Sequence, residues 1–267
     1  MISSLGIIAG NGVYPIELAQ RARAAGVQRI IVAAFENETR PELASLVDHI
    51  AWMRVGQLGK LIAYFEQSDV RNVIMAGQIA PKNLFDLRPD FKALLLLGRL
   101  KERNAETLFG GIADELAKSG VILLPATTFL EESLAPLGII AGPKLKKRTL
   151  DDLAYGFRIA KETSRLDIGQ TVVVRNGTIL AVEAFEGTND AMQRGGLLGK
   201  GQAVMVKVSK PRQDFRFDVP VIGRQTLETA QTAGILAIGV EAGKTLLLER
   251  SQLLAEAASR KISLHGL

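Results

Sequence analysis

The chain has 267 residues, of which 47% are hydrophobic and 23% charged, a composition that excludes disorder over most of its length. It contains no cysteine and two histidines, which excludes disulfides, thiolate nucleophiles and zinc sites with several histidine ligands. The net charge is +5, aromatic residues make up 5%, and no basic stretch is interleaved with stacking rings, so nucleic-acid binding is not expected.

The first half of the chain alternates short apolar runs with helix-like segments, the pattern of a parallel βαβ sheet. We predict strands there at residues 5–9, 29–35, 72–76 and 121–124. We predict helices at residues 16–22, 59–67, 91–103 and 105–118. The sequence therefore indicates a Rossmann-like amino-terminal domain, which we place at residues 1–137.

The character of the chain changes at residues 138–148, which we interpret as a linker because Gly142-Pro143 precedes a basic run there. Further on, the dipeptide Asn176-Gly177 separates two alternating segments and predicts a β-hairpin. We predict the remaining strands at residues 170–175, 178–185, 202–209, 235–240 and 245–249, and helices at 149–162, 225–232 and 251–260. Residues 149–267 are thus expected to form a second α/β domain with a mixed sheet.

The basic run consists of Lys144, Lys146, Lys147 and Arg148. One interpretation is a solvated surface between the domains. The other is attraction to anionic lipid head groups, to which each basic residue near a membrane contributes about 1 kcal/mol. Apolar runs stay well below the ~20 residues of a membrane-spanning helix. The first residues lack the basic region of a signal peptide, and we expect a cytoplasmic protein.

The loop Gly10, Asn11 and Gly12 joins the first predicted strand to a helix that has Pro15 at its start. Glycines let backbone N–H groups approach a ligand closely, and a helix N-terminus favours an anion, so the loop predicts diphosphate binding. Gly77-Gln78 follows another strand and is expected beside this loop. A purely structural tight turn remains an alternative.

Two polar clusters stand in the second half, one around Glu183, Glu186 and Asp190, the other around Lys210 and residues 213–218. Read as a strand, the latter places Asp214, Arg216 and Asp218 on one face. Asp214 and Asp218 would then be roughly 13 Å apart, too far to share one metal ion. A metal site would instead combine one of them with an acid of the first cluster, while Lys210 and Arg216 face substrate phosphate. A charged, solvated edge strand remains the alternative.

These segments resemble the LpxI-type UDP-2,3-diacylglucosamine diphosphatases of lipid A synthesis. The resemblance is carried, in the same order along nearly the whole chain, by residues 5–12, 76–78, 166–170, 181–184, 186–188, 210–223, 233–234 and 241–243. Its most specific motif is Arg216-Phe217-Asp218-Val219-Pro220-Val221-Ile222-Gly223.

The resemblance implies Mg²⁺-dependent hydrolysis to UMP and 2,3-diacylglucosamine 1-phosphate, with Mn²⁺ as an alternative metal. The uridine nucleotide would bind the amino-terminal domain and the acylated sugar phosphate the carboxy-terminal one. The family's essential aspartate falls on Asp218, and we expect Asp214 and Arg216 to complete the catalytic set. The substrate-binding residues are expected to be Gly10, Asn11, Gly12, Gly77, Gln78, Thr188, Asn189, Lys210 and Gln213. The metal ligands are expected to be Asp218, Glu183, Glu186 and Asp190.

Two positions depart from the family pattern. Asn189 stands where many members carry an aspartate, and residues 104–110 lack the paired acids and the arginine found in other members. A non-catalytic binder of nucleotide sugars or lipids therefore remains a second hypothesis, and a nicotinamide-dependent oxidoreductase, with Glu36 as the ribose-binding acid, is a third. For the hydrolase we expect a UDP-linked acylated glucosamine as substrate, peripheral contact with the inner leaflet of the inner membrane, and a homodimer as one option.

Overall fold

The computed structural model describes residues 2–79, 89–100 and 105–267. The chain divides into two compact units. The first comprises Met1–Glu131 together with Asp214–Asp218, and the second comprises Glu132–Gln213 together with Val219–Leu267. The boundary thus lies ahead of the predicted linker at 138–148, part of which forms a strand and the start of a helix.

The first unit is built on a five-stranded parallel sheet in the order β3-β2-β1-β4-β5. Its strands are β1 (Ser4–Ala9), β2 (Arg29–Phe35), β3 (His49–Met53), β4 (Asn72–Ala76) and β5 (Ile122–Leu123). Its described helices are α1 (Tyr14–Ala24), α2 (Leu58–Gln67), α3 (Phe91–Arg99) and α4 (Ala105–Lys118). Strands β1, β2 and β4 are almost continuously apolar because helices cover both faces of a parallel sheet.

The second unit contains a six-stranded mixed sheet in the order β6-β13-β11-β9-β7-β8. Its strands are β6 (Gly138–Ala141), β7 (Thr171–Arg175), β8 (Thr178–Val182), β9 (Ala203–Lys207), β11 (Ile235–Val240) and β13 (Ser263–Gly266). A separate parallel pair consists of β10 (Val221–Ile222) and β12 (Leu246–Leu247). Its described helices are α5 (Lys147–Arg165), α6 (Thr188–Gly199), α7 (Arg224–Ala233) and α8 (Arg250–Ser259). The predicted fold class, a Rossmann-like unit plus an α/β unit with a mixed sheet, is confirmed.

Three elements show where local pattern was not enough. Strand β6 pairs antiparallel with β13, a contact between distant parts of the chain, and His265 lies within this pairing. Helix α6 was not predicted because its glycines disfavour a helix. Packing requires one of them, since a Cβ on Gly195 would lie 2.5 Å from Val173 on β7. The predicted strand around residues 214–218 is a turn.

Every helix within the three described ranges is too short or too polar to cross a bilayer.

The hairpin at Asn176-Gly177 is held by the buried carboxylate of Asp152, which accepts the N–H groups of Asn176 and Gly177 at 2.8 and 2.7 Å. We expect Asp152→Ala to lower the free energy of unfolding by about 2–3 kcal/mol, because both N–H groups lose their acceptor. Urea denaturation measures this loss. The neighbouring Asp151 is exposed, and Asp151→Ala should change stability by less than about 0.5 kcal/mol. Equal effects of the two substitutions would contradict the assigned role of Asp152.

Candidate functional site

The predicted nucleotide loop lies at the switch point of the parallel sheet. The chain runs from β1 to β2 on one side and later to β4 on the other, so the carboxyl ends of β1 and β4 border the crevice where ligands of such sheets bind. Gly10 donates its N–H to Ala76 O at 2.8 Å, and Asn11 donates its N–H to Gln78 O at 2.7 Å. The structure therefore brings the loop 10–12 and the dipeptide Gly77-Gln78 together.

This crossing requires glycine at two positions. A Cβ on Gly10 would lie 2.5 Å from Gln78 O, and one on Gly77 would lie 2.5 Å from Asn11 O. Gly77 also has a φ of +93°, which side chains rarely adopt. Helix α1 starts just beyond the loop, and among the described residues no side chain caps its N-terminus. Its first N–H groups and its dipole are suited to an anion.

Tyr14, the first residue of α1, is buried and donates its hydroxyl to the carbonyl oxygen of Ala126. Burial raises the pKa of the Tyr14 hydroxyl well above its usual range, and the charge of Glu17 adds to the effect. The hydroxyl therefore remains a hydrogen-bond donor at any physiological pH. Sequence reasoning overlooked Tyr14 because a tyrosine at a helix start carries no motif.

The segment Asp214–Asp218 turns back on itself. The Asp218 and Phe217 N–H groups both donate to Asp214 O, at 3.0 and 3.3 Å. The prediction that Asp214 and Asp218 lie on an extended strand, far apart, is therefore wrong, because local hydrogen bonds close the segment into a turn. We call Asp214–Asp218 the acidic turn.

The acidic turn belongs to the first unit, although it lies late in the sequence. Ala126 donates its N–H to Phe215 O at 2.7 Å. The ring of Phe217 packs against that of Phe109 on α4, with 5.7 Å between the centroids. One backbone bond and one aromatic contact thus fasten the turn to the unit that carries the switch-point loop.

Within the acidic turn, two nitrogens of the Arg216 guanidinium donate hydrogen bonds to the Asp214 carboxylate. Nη2 lies 2.6 Å from Oδ2, and Nε lies 3.0 Å from Oδ1. These hydrogen bonds lower the pKa of Asp214 and raise that of Arg216, and the charge of Asp114 on α4 contributes to the latter. Asp214 is therefore engaged in holding Arg216. Asp114 was not foreseen, since only the fold places α4 beside the turn.

In the second unit, polar groups gather where β8 and β9 end, where β7 begins and at the start of α6. The Thr188 hydroxyl donates to Glu183 Oε1 at 2.9 Å, and the Gln170 N–H donates to Glu183 Oε2 at 3.3 Å. The Lys207 ammonium donates to Thr188 Oγ1 at 3.2 Å. A hydroxyl, a cation, the Glu183 carboxylate and the N-terminus of α6 therefore converge, and of these the cation and the helix N-terminus are suited to a phosphate.

The other predicted residues of this unit have separate neighbours. Glu186 pairs with Arg194 at 2.5 Å and accepts the Ala184 N–H at 3.0 Å. Asn189 and Asp190 lie in the first turn of α6.

In the predicted cluster around Lys210, the Lys210 ammonium bonds the carboxylate of Asp167, and the Lys210 backbone N–H donates to Gln213 Oε1 at 2.6 Å. Lys210 and Gln213 are therefore brought together.

No group of three or more acidic, histidine or cysteine side chains able to hold a metal ion occurs in the part of the chain that the structure describes. Glu183 and Glu186 already accept hydrogen bonds from Thr188 and from Arg194. These two glutamates consequently fit a metal less well than the sequence suggested.

A buried ionic cluster, also overlooked, surrounds Glu241. The Ser209 N–H and hydroxyl donate to Glu241 Oε2 at 2.8 and 2.7 Å, and Lys161 and Lys244 lie 3.0 and 2.8 Å from the carboxylate. Burial would raise the pKa of Glu241, but hydrogen bonds from Lys244, Ser209 and Lys161 outweigh it and lower the pKa to about 2. The cluster fixes the end of β9, immediately before Lys210.

The lowered pKa of Glu241 predicts a specific pH dependence of stability. The stabilisation should be complete above pH 4.5, the value for an unperturbed glutamate, and should be lost as the pH falls towards 2. Lys244 is half exposed, so solvent screens part of its attraction for Glu241. We therefore expect Glu241→Gln to lower the free energy of unfolding at pH 7 by about 2 kcal/mol. Thermal unfolding between pH 2 and 7 measures this, with the exposed Glu162→Gln as control. A parallel pH profile for wild type and Glu241→Gln would refute the assignment.

The fold and the loop at its switch point define a two-domain α/β protein with a Rossmann-like amino-terminal unit. Residues 4–133 match the LpxI N-terminal domain, and residues 136–265 match the LpxI C-terminal domain. The UDP-2,3-diacylglucosamine pyrophosphatase LpxI of Caulobacter vibrioides is 32% identical over 264 residues, covering 95% of this chain and 93% of that protein. The chain belongs to the LpxI family, and the family prediction is confirmed.

Likenesses to solved structures are weak. The structure of gox2253 aligns with 100% of this chain and 90% of its own at 11% identity and a TM-score of 0.31. The biotin carboxylase subunit of pyruvate carboxylase aligns with 65% of this chain and 35% of its own at 13% identity and a TM-score of 0.28. At this level the alignments carry no argument about function.

Proposed function

We propose that the chain hydrolyses the diphosphate of UDP-2,3-diacylglucosamine, releasing UMP and 2,3-diacylglucosamine 1-phosphate, as a step of lipid A synthesis. It is a hydrolase of the diphosphate bond, like its named relative. The observation that carries the proposal is the family match over both halves of the chain. The switch-point loop, whose geometry suits an anion, and the acidic turn, which carries two carboxylates, lie in the same unit and support the proposal.

The reaction assigns distinct roles to the two units. In the first, the loop 10–12 and the start of α1 hold the nucleotide phosphate through N–H groups. In the second, Thr188 and Lys210 contact the acylated sugar phosphate. Asp218 orients the attacking water or holds a metal ion. The water oxygen bonds to the sugar-side phosphorus, the bond from that phosphorus to the bridging oxygen breaks, and the bridging oxygen leaves with UMP.

Mg²⁺ is part of the proposal, with Mn²⁺ as the alternative. Mg²⁺ commonly binds one or two carboxylates and completes its shell with water and substrate phosphate oxygens, so Asp218 would suffice without a cluster of acids. Bound there, the ion would neutralise charge on the diphosphate. Asp214 has its oxygens on Arg216, and we therefore assign it to positioning.

The direct test is incubation of the purified protein with UDP-2,3-diacylglucosamine and Mg²⁺, followed by quantification of UMP. In ¹⁸O-labelled water the label should appear in the sugar phosphate. Binding of the substrate without UMP release in Mg²⁺ or Mn²⁺ would favour the non-catalytic binder. UDP-N-acetylglucosamine, which lacks the long acyl chains, should be turned over far more slowly, because each buried CH₂ contributes about 0.8 kcal/mol.

We further propose peripheral contact with an anionic membrane through the basic run. Lys144, Lys146, Lys147 and Arg148 are exposed, and the first turn of α5 contains no acidic residue to offset them. Four such cations at a surface would contribute about 1 kcal/mol each near anionic lipid. The substrate in the relative's name carries two acyl groups, which favour a bilayer, so an anionic membrane is the partner that we propose.

We expect the protein to co-sediment with vesicles containing phosphatidylglycerol at low salt, and to bind pure phosphatidylcholine vesicles weakly. Replacing Lys144, Lys146 and Lys147 by glutamine should reduce binding at least about tenfold. Lys118→Gln, which removes a cation from a surface ion pair, serves as control. Unchanged binding of the triple variant would exclude the basic run as the contact.

A further inference from the structure

Two buried backbone groups connect the switch-point loop to the acidic turn. Ala126 is almost fully buried in the loop that follows β5. Its carbonyl oxygen accepts the hydroxyl of Tyr14, and its N–H donates to Phe215 O at 2.7 Å. A single residue is thereby bonded on one side to the start of α1 and on the other to the middle of the acidic turn.

All members of this connection lie within the first unit. Tyr14 begins the helix that follows Gly12, so its ring moves with the helix N-terminus that faces the loop. Phe215 lies between Asp214 and Asp218, so its carbonyl moves with both carboxylates. Phe217 fixes the same turn from the other side by packing on Phe109.

A positioning function fits the burial of these groups. A buried tyrosine hydroxyl needs a hydrogen-bond partner, and the Tyr14 hydroxyl donates its proton to a backbone carbonyl oxygen. Reaction at a diphosphate depends on the distance between the carboxylate and the held phosphate, and a displacement of about 1 Å can reduce the rate on the order of 100-fold.

We infer that Tyr14 is a positioning residue, which acts through Ala126 to hold the acidic turn at a set distance from the nucleotide loop. The inference rests on the proposed function for its effect on turnover. The physical connection itself can be measured independently of turnover.

The test compares Tyr14→Phe with Tyr64→Phe. Tyr64 lies in the same unit on α2, and within the described residues its buried hydroxyl has no hydrogen-bond partner. We expect Tyr14→Phe to lower kcat roughly 10- to 100-fold with KM and UMP affinity unchanged. Tyr64→Phe should leave kcat, KM and UMP affinity at the wild-type values. A lower melting temperature with wild-type kcat per folded molecule would overturn the inference.

Amide hydrogen exchange at Ala126 provides the second readout. In Tyr14→Phe the Ala126 N–H should exchange at least about tenfold faster than in wild type, because the connection to Phe215 loosens. Wild-type exchange in a folded Tyr14→Phe protein overturns the inference, and so does faster exchange with unchanged kcat. If the wild type fails to release UMP, the proposed function fails, while exchange still decides whether the connection exists.

Phe109→Leu loosens the acidic turn from its other attachment and covers the case in which Tyr14→Phe does not fold. We expect the same pattern, a lower kcat with an unchanged KM. Phe91→Leu, at an exposed position on α3, is the matched control. Wild-type kcat in a folded Phe109→Leu protein would also overturn the positioning of the turn.

Discussion

Asp218→Ala is expected to abolish turnover while the protein remains folded and still binds its substrate. Asp218 ends a turn that hydrogen bonds and aromatic packing fasten to the unit carrying the nucleotide loop. A carboxylate that orients water or holds Mg²⁺ acts mainly in the transition state, so kcat should fall at least about 100-fold. KM should change by less than about threefold.

Asp214→Ala is the informative comparison. The Asp214 carboxylate accepts three hydrogen bonds from the Arg216 guanidinium and also accepts the Arg216 backbone N–H at 3.0 Å. Its removal should loosen the turn, lowering both stability and kcat, but by less in kcat than the loss of Asp218. If Asp218 were purely structural, the melting temperature would fall and kcat per folded molecule would persist.

The measurements are kcat, KM and thermal unfolding for both variants. Wild-type turnover by a well-folded Asp218→Ala protein would remove the catalytic assignment. Asp214, or Asp190 in the first turn of α6, would then be the candidate for the catalytic carboxylate.

Gly10→Ala is expected to weaken nucleotide binding through a purely steric effect. The new Cβ would lie 2.5 Å from Gln78 O and 2.9 Å from Gln78 N. Both are backbone atoms, so the strand ends that border the switch point would have to separate. Such overpacking costs about 1–3 kcal/mol of stability.

The displaced loop should lower UMP affinity at least about tenfold, since its N–H groups would no longer converge on the phosphate. Isothermal titration with UMP and thermal unfolding measure the two effects. Gly98→Ala is the matched control, because Gly98 lies on α3 and no described residue comes within 4 Å of its added Cβ. That substitution should stabilise the helix by up to about 1 kcal/mol and leave UMP affinity unchanged.

Undiminished UMP affinity in a folded Gly10→Ala protein would show that the loop is only a structural turn. The nucleotide would then have to bind elsewhere. The proposed substrate-binding roles of Gly10, Gly77 and Gln78 would all be wrong.

Local patterns in the sequence predicted most elements. The strands β1, β2 and β4 were recognisable because burial on both faces requires unbroken apolar runs, and the hairpin at Asn176-Gly177 because its turn needs residues that tolerate positive φ. The contact between the loop 10–12 and Gly77-Gln78 also followed, since the carboxyl ends of neighbouring parallel strands meet at one edge.

Tertiary structure decided what depends on partners distant in the chain. Residues 214–218 alternate like a strand, but in the folded chain they form a turn that bonds to a residue far away in the sequence. That turn joins the first unit because Ala126 and Phe109 offer it a donor and a ring. Strand β6 exists only because β13 pairs with it. Backbone groups and side chains form these contacts only when folding brings the segments together, and no periodicity within a single segment records them.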